Sequence, residues 1–284
     1  MIPCGKCLGC RLEYSRQWAV RCEHELRLHK ESCFITLTYD KKYLPYETSL
    51  NGDVIFPTLK KKDLQDFFKR LRSAMDYSCE KLQIPKINIR YFACGEYGER
   101  EGRPHYHAII FGWRPPDLRK YEKNYGKSEV YISDKLNKIW SKGEVIVGKS
   151  VNFETCAYVA RYVVKKYKQE KGGFFDGNFY LRRQQSFIIA SRRPAIGYTF
   201  FQKFNRDILK NDSIVGRGGV KMRPPRYYDK KIEEYFPERF EELKKERIKN
   251  SLEARFDGEI NFRKHLKKME RIKEKGTEHL LKRS

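Results

Sequence analysis

The sequence predicts an α+β fold: a mainly antiparallel central sheet with flanking helices, followed by a charged helical C-terminal tail. Three observations carry it. Short alternating segments are separated by turn residues, amphipathic helical periods fall between them, and the chain after residue 228 is strongly charged without Gly–Pro punctuation. Cys33–Tyr39 (C-F-I-T-L-T-Y) alternates β-branched and aromatic residues and reads as the first strand. Leu64, Phe67, Phe68 and Leu71 then recur at helical spacing, with Lys69, Arg70 and Arg72 on the outer face. Ile87, Ile89 and Tyr91 suggest a second strand ended by a turn over 95–104, and 105–111 (H-Y-H-A-I-I-F) a third, stopped by Gly112. A short helix around Leu136, Ile139 and Trp140, a strand over 144–147 and a helix from Thr155, as N-cap, to Lys168 complete a β-α-β-β-α-β-α order close to split-βαβ architecture. One or two strands are expected around 187–190. The expected division is a Cys-rich N-terminal segment (1–30), a main domain (31–228) and the tail (229–284).

The 284 residues carry 61 Lys and Arg against 37 Asp and Glu, a formal net charge of +24. Only 20 of the basic and 13 of the acidic residues lie beyond residue 220, so the surplus belongs to the body of the chain. Such a balance suits a polyanionic partner, nucleic acid first. No apolar run approaches the ~20 residues of a membrane span, and the N-terminus lacks a signal-peptide core. A cytoplasmic protein without a membrane partner is expected. Its cysteines then stay reduced, and Cys4, Cys7, Cys10 and Cys22 (C-x2-C-x2-C-x11-C) read as ligands of a structural metal, Zn²⁺ or an iron–sulfur cluster.

His105 and His107, one residue apart in a strand, leave the same face and can share a metal ion. A hairpin brings Glu96 beside them, with Glu99 and Glu101 as competing third ligands. Two imidazoles and a carboxylate suit Mg²⁺ or Mn²⁺ with open positions. In the helix after Thr155, Val159, Ala160, Val163, Val164 and Tyr167 form one face, and Tyr158, Arg161, Tyr162, Lys165 and Lys166 the opposite one. Tyr158 and Tyr162 are one turn apart, so both hydroxyls can address one site. Tyrosine is a covalent nucleophile, and Lys165 and Lys166 favour its phenolate. The plainer alternatives are an exposed histidine pair and two tyrosines bordering the core.

Together these segments resemble the HUH endonucleases, specifically the two-tyrosine initiators of rolling-circle replication. The resemblance lies in Phe34-Ile35-Thr36-Leu37-Thr38, His105-Tyr106-His107, and the run from Tyr158 to Lys166. It narrows to the initiators of gokushovirus-type microviruses through residues 3–11 (P-C-G-K-C-L-G-C-R), 95–99 (G-E-Y-G-E) with 102–104 (G-R-P), and 191–197 (S-R-R-P-A-I-G). The resemblance implies a metal-assisted attack by tyrosine on single-stranded origin DNA, giving a 5′-phosphotyrosine and a 3′-hydroxyl primer, with later rejoining by the second tyrosine. It also implies host replication machinery as partner, in the bacterial cytoplasm, and no small-molecule substrate. A relaxase or transposase of the same chemistry, or a non-catalytic single-strand binding protein, is the alternative.

Residues 143–150 (G-E-V-I-V-G-K-S) match the P-loop pattern. A phosphate-cradling loop needs a permissive backbone, whereas 145–147 are all β-branched, so a strand is expected there and no nucleotide site.

Overall fold

The computed structural model describes residues 4–5, 7–48, 54–98, 102–121, 129–161, 175–176, 179–180, 184–253 and 259–282. Helix α1 (Leu8–Leu26) opens the chain, followed by β1 (Ser32–Thr38), the hairpin β2 (Tyr46–Thr48) and β3 (Val54–Pro57), and α2 (Lys61–Lys81). Next come β4 (Arg90–Tyr97), β5 (Pro104–Phe111), β6 (Arg119–Lys120), β7 (Val130–Ile132), α3 (Asp134–Trp140) and β8 (Val145–Gly148). Helix α4 is described over 153–161. After it lie β9 (Phe175–Asp176), β10 (Phe179–Tyr180), β11 (Phe187–Ala190), α5 (Tyr198–Asn211), β12 (Ile214–Val215), β13 (Lys221–Met222), α6 (Arg226–Tyr235), α7 (Pro237–Glu253) and α8 (Glu259–Lys282).

Packing divides the chain into Tyr14–Phe200 and a second unit of Met1–Glu13 with Phe201–Ser284. These boundaries fall inside α1 and α5, not at the composition changes near residues 30 and 228. The larger unit holds a seven-stranded sheet, β11-β4-β5-β1-β8-β7-β6, in which every neighbouring pair is antiparallel. Alternation along each strand sends side chains to two apolar layers. On one side Cys33, Ile35, Leu37 and Tyr106 pack against Leu64, Phe67, Phe68 and Leu71 of α2 and Leu136 and Trp140 of α3. On the other, Phe92, Cys94, Ile109 and Phe111 meet Ala19 and Cys22 of α1 and Cys156, Val159 and Ala160 of α4.

Several expectations shift in detail. Strand β4 begins at Arg90, not Ile87, and runs through Gly95. A Cβ on Gly95 would lie 3.0 Å from the Phe187 ring, so the glycine admits a neighbouring side chain and makes no turn. Helix α4 starts at 153 with Asn152 as its cap: the Thr155 N–H donates to Asn152 Oδ1 at 2.9 Å. In the P-loop look-alike, Val145–Gly148 is strand, and a Cβ on Gly143 would stand 2.2 Å from the Thr38 carbonyl oxygen. That glycine answers to the packing of β1. Among the described residues, no helix is long and apolar enough to cross a membrane.

The second unit has its own small core, with Phe201, Ile208, Tyr228, Ile232, Phe240 and Leu243 buried. Arg247 donates from Nε to Asp212 Oδ2 at 2.6 Å and from its terminal nitrogen to Asp229 Oδ1 at 2.9 Å. The charged tail is therefore helical, and α6 and α7 each bury an apolar stripe.

Candidate active site

Register brings the site together. Antiparallel pairing sets Glu96 of β4 opposite His105 of β5, and His107 opposite both Cys94 and Thr36 of β1. Because strand side chains alternate, Glu96, His105, His107 and Thr36 share the face covered by α4, while Tyr106 between the histidines points to the opposite layer. One carboxylate oxygen then meets two imidazoles: Glu96 Oε1 lies 2.8 Å from His105 Nε2 and 3.0 Å from His107 Nε2. Glu96 and His107 are buried, and His105 retains 20% side-chain exposure, the opening to the site. Burial by itself would raise the Glu96 pKa, but the hydrogen bonds from His105 and His107 and their charges outweigh it and hold the carboxyl well below its usual range.

The far ring atoms are also engaged. His105 Nδ1 lies 3.1 Å from the Arg103 carbonyl oxygen, which can only accept, so this nitrogen carries the proton and Nε2 keeps its lone pair. His107 Nδ1 lies 2.9 Å from the Thr36 hydroxyl, and Phe34 stacks at 5.6 Å between ring centroids. These neighbours fix both rings with Nε2 turned inward.

Tyr158 reaches the same point from α4, with its hydroxyl 3.5 Å from His107 Nε2. Its ring stands edge-on to His107 and to Phe34, and the Arg161 guanidinium lies 5.4 Å from the ring centroid. On the same helix Cys156, Val159 and Ala160 are fully buried, so the inward face is the one periodicity predicts. Tyr162, Lys165 and Lys166 lie outside the described residues, as do Glu99 and Glu101.

The tyrosines on the opposite layer are chemically different. Tyr39 donates to Asp63 Oδ2 at 2.8 Å and lies 2.7 Å from the Tyr106 hydroxyl, which donates to the Lys60 carbonyl oxygen. Burial pushes the Tyr106 phenol up to about 12, against the hydrogen bonds from its neighbours, and raises that of Tyr39 further. Both serve packing.

A divalent ion fits the donor set. Octahedral ligands at 2.0–2.1 Å stand about 3 Å from one another, and Glu96, His105 and His107 already hold that spacing, with all three donor atoms within 4.8 Å. A second cluster joins Cys4, Cys7 and Cys10 within the same limit, with the Cys4 and Cys10 sulfurs 3.9 Å apart. Tetrahedral sulfurs at 2.3 Å from zinc stand about 3.8 Å apart. Cys22 does not join them. It lies twelve residues beyond Cys10 on the same helix, roughly 18 Å of rise, buried with Phe92, Cys94 and Cys156, where loss of hydration raises its thiol pKa well above the usual value. Sequence reasoning did not assign roles to Thr36 or the Arg103 carbonyl. The alternation of β1 carried the signal for Thr36, since its even positions face the histidines.

A family model for the replication-associated protein ORF2 matches residues 32–167, the span from β1 through the described part of α4. The chain is 30% identical over 241 residues to the replication-associated protein VP4 of Bdellovibrio phage phiMH2K, covering 85% of this chain and 70% of that one. It is 28% identical over 265 residues to the replication-associated protein ORF2 of Spiroplasma virus 4, covering 91% and 77%. With the replication-associated protein ORF4 of Chlamydia phage 1 it shares 33% over 231 residues, 80% of this chain and 52% of the relative. No solved structure matches the chain.

Proposed function

Because this chain belongs to the replication-associated proteins of microvirus-type phages, we propose that it starts rolling-circle replication by nicking single-stranded origin DNA with Tyr158 or Tyr162. The observation that carries this reading is the convergence of the Glu96, His105 and His107 donor atoms on the Tyr158 hydroxyl, 3.5 Å from His107 Nε2. A Mg²⁺ or Mn²⁺ ion held by these three residues supplies Lewis-acid polarisation of the scissile phosphate. Thr36 and the Arg103 carbonyl hold the imidazoles, and Phe34 and the α4 core hold the phenol ring over them. The tyrosine oxygen bonds to phosphorus as the bond to the 3′ oxygen breaks, leaving a 5′-phosphotyrosine and a 3′-hydroxyl for host polymerase to extend. Tyr162, one helical turn beyond Tyr158, is assigned the second attack that rejoins the ends, and Lys165 and Lys166 the support of the phenolate. Cys4, Cys7 and Cys10 are assigned a structural Zn²⁺ with a fourth ligand other than Cys22.

Incubation with Mn²⁺ and circular single-stranded phage DNA, followed by a denaturing gel and mass spectrometry, tests the reaction. We expect a covalent adduct on Tyr158 or Tyr162. An adduct on another residue, or none, overturns the mechanism and favours relaxase-like or purely binding roles.

A further inference from the structure

A groove of 790 Å³ opens in the larger unit between α2, the start of β4 and the segment after β11. Lys61 and Arg72 border it from α2, and Arg192 and Arg193 from the segment that follows the edge strand; all four are exposed. No Asp or Glu is among its lining residues, and no ion pair to these four cations occurs among the described residues. Arg90 also lines it, but its charge is met by Glu25, 2.5 Å from Nε. The groove is distinct from the tyrosine centre, because Arg90 and Glu96 lie six residues apart on β4, roughly 20 Å.

We propose that this groove holds the sugar–phosphate backbone of single-stranded DNA flanking the cleavage centre. The reading takes its ligand from the DNA-processing role above but does not depend on nicking. Four unpaired cations in a concave track create a potential that phosphates fill. The one aromatic ring in the lining, Tyr91, is stacked on Phe68 at 3.8 Å and lies 5.3 Å from the Arg72 guanidinium. It offers no clear platform for a base, so recognition is of the backbone and independent of sequence. The Ser191–Gly197 segment, conspicuous in the sequence and unused by the tyrosine centre, thereby acquires a role through Arg192 and Arg193.

The test is the salt dependence of fluorescent oligo(dT) binding by the full chain. Each phosphate contact removed lowers the slope of log K against log salt by about 0.7 for single strands. Arg72→Gln/Arg192→Gln/Arg193→Gln is expected to lose about 2 from the slope, while the triple Arg→Lys variant keeps it. Lys245→Gln/Lys249→Gln, which removes charge from α7, should also leave it unchanged. If the triple Gln variant fails to melt cooperatively, Arg192→Gln and Arg193→Gln singly carry the test at about 0.7 each. A wild-type slope in these variants, or a change seen only on duplex DNA, overturns the proposal. A wild-type protein that forms no covalent adduct argues against the nicking mechanism and leaves this measurement intact.

Discussion

Glu96 Oε1 is shared by His105 and His107, and each ring is held from behind by a different neighbour. Substituting either imidazole therefore removes a ligand without touching the basic surface. His105→Ala and His107→Ala are expected to lose cleavage and its metal dependence while still binding single-stranded DNA, checked by adduct gels beside anisotropy. Full cleavage by either variant would reject the metal site. Thr36→Val keeps the shape but removes the hydroxyl from His107 Nδ1. Loss of such an outer hydrogen bond costs about 10–100-fold in metal affinity or activity, which a Mn²⁺ titration of cleavage reads directly. Tyr158→Phe should leave some adduct through Tyr162 but fail in repeated cut-and-join cycles. The doubly substituted protein should be inactive with an unchanged melting curve, since Val159 and Ala160 supply the packing.

At the scale of elements, what was legible followed periodicity. The α2 stripe of Leu64, Phe67, Phe68 and Leu71 and the alternation of β1 are both in the structure as read. The sequence also placed Glu96 beside the histidines, because a hairpin between two strands leaves little choice of register. The N-terminal edge of β4 was misread because Ile87 and Ile89 alternate without a partner: pairing with β5 ends at Arg90 opposite Phe111. Strand bounds depend on a neighbour's length, which local patterning does not contain. Helix α1 was not read at all, since its buried set (Ser15, Ala19, Val20, Cys22, His24, Glu25) is half polar and makes no apolar stripe. Its anchor is Glu25, which takes the Arg90 ion pair, lies 3.0 Å from His29 Nε2 and accepts the Gly197 N–H at 2.7 Å. Glu25→Ala leaves Arg90 buried without its counter-charge, which costs about 3–5 kcal/mol. A urea midpoint close to wild type would show that the clamp is dispensable.

For the molecule as a whole, pH enters through a histidine remote from the chemistry. Burial, aided by the nearby Arg27 charge, lowers the His24 pKa to about 3, and its ring stacks on Phe200 at 3.8 Å. The unfolded chain binds this proton near pH 6.5 and the folded chain does not. His24 thus contributes stability above about pH 6.5 that is lost as pH falls toward 3, at about 1 kcal/mol per unit. His24→Gln should flatten the fall in unfolding free energy between pH 6.5 and 5; an identical slope would contradict this. Strand β5, which carries both histidines, lies inside the sheet with β4 on one side and β1 on the other. Its amides are bonded to a neighbour on each flank, so deuterium can replace their protons only when the whole sheet opens. Uptake along Pro104–Phe111 should therefore be among the slowest in the protein and track global unfolding. On heating, the chelating frame and the fold should be lost in one event, leaving no temperature range in which a folded chain has shed its histidine pair.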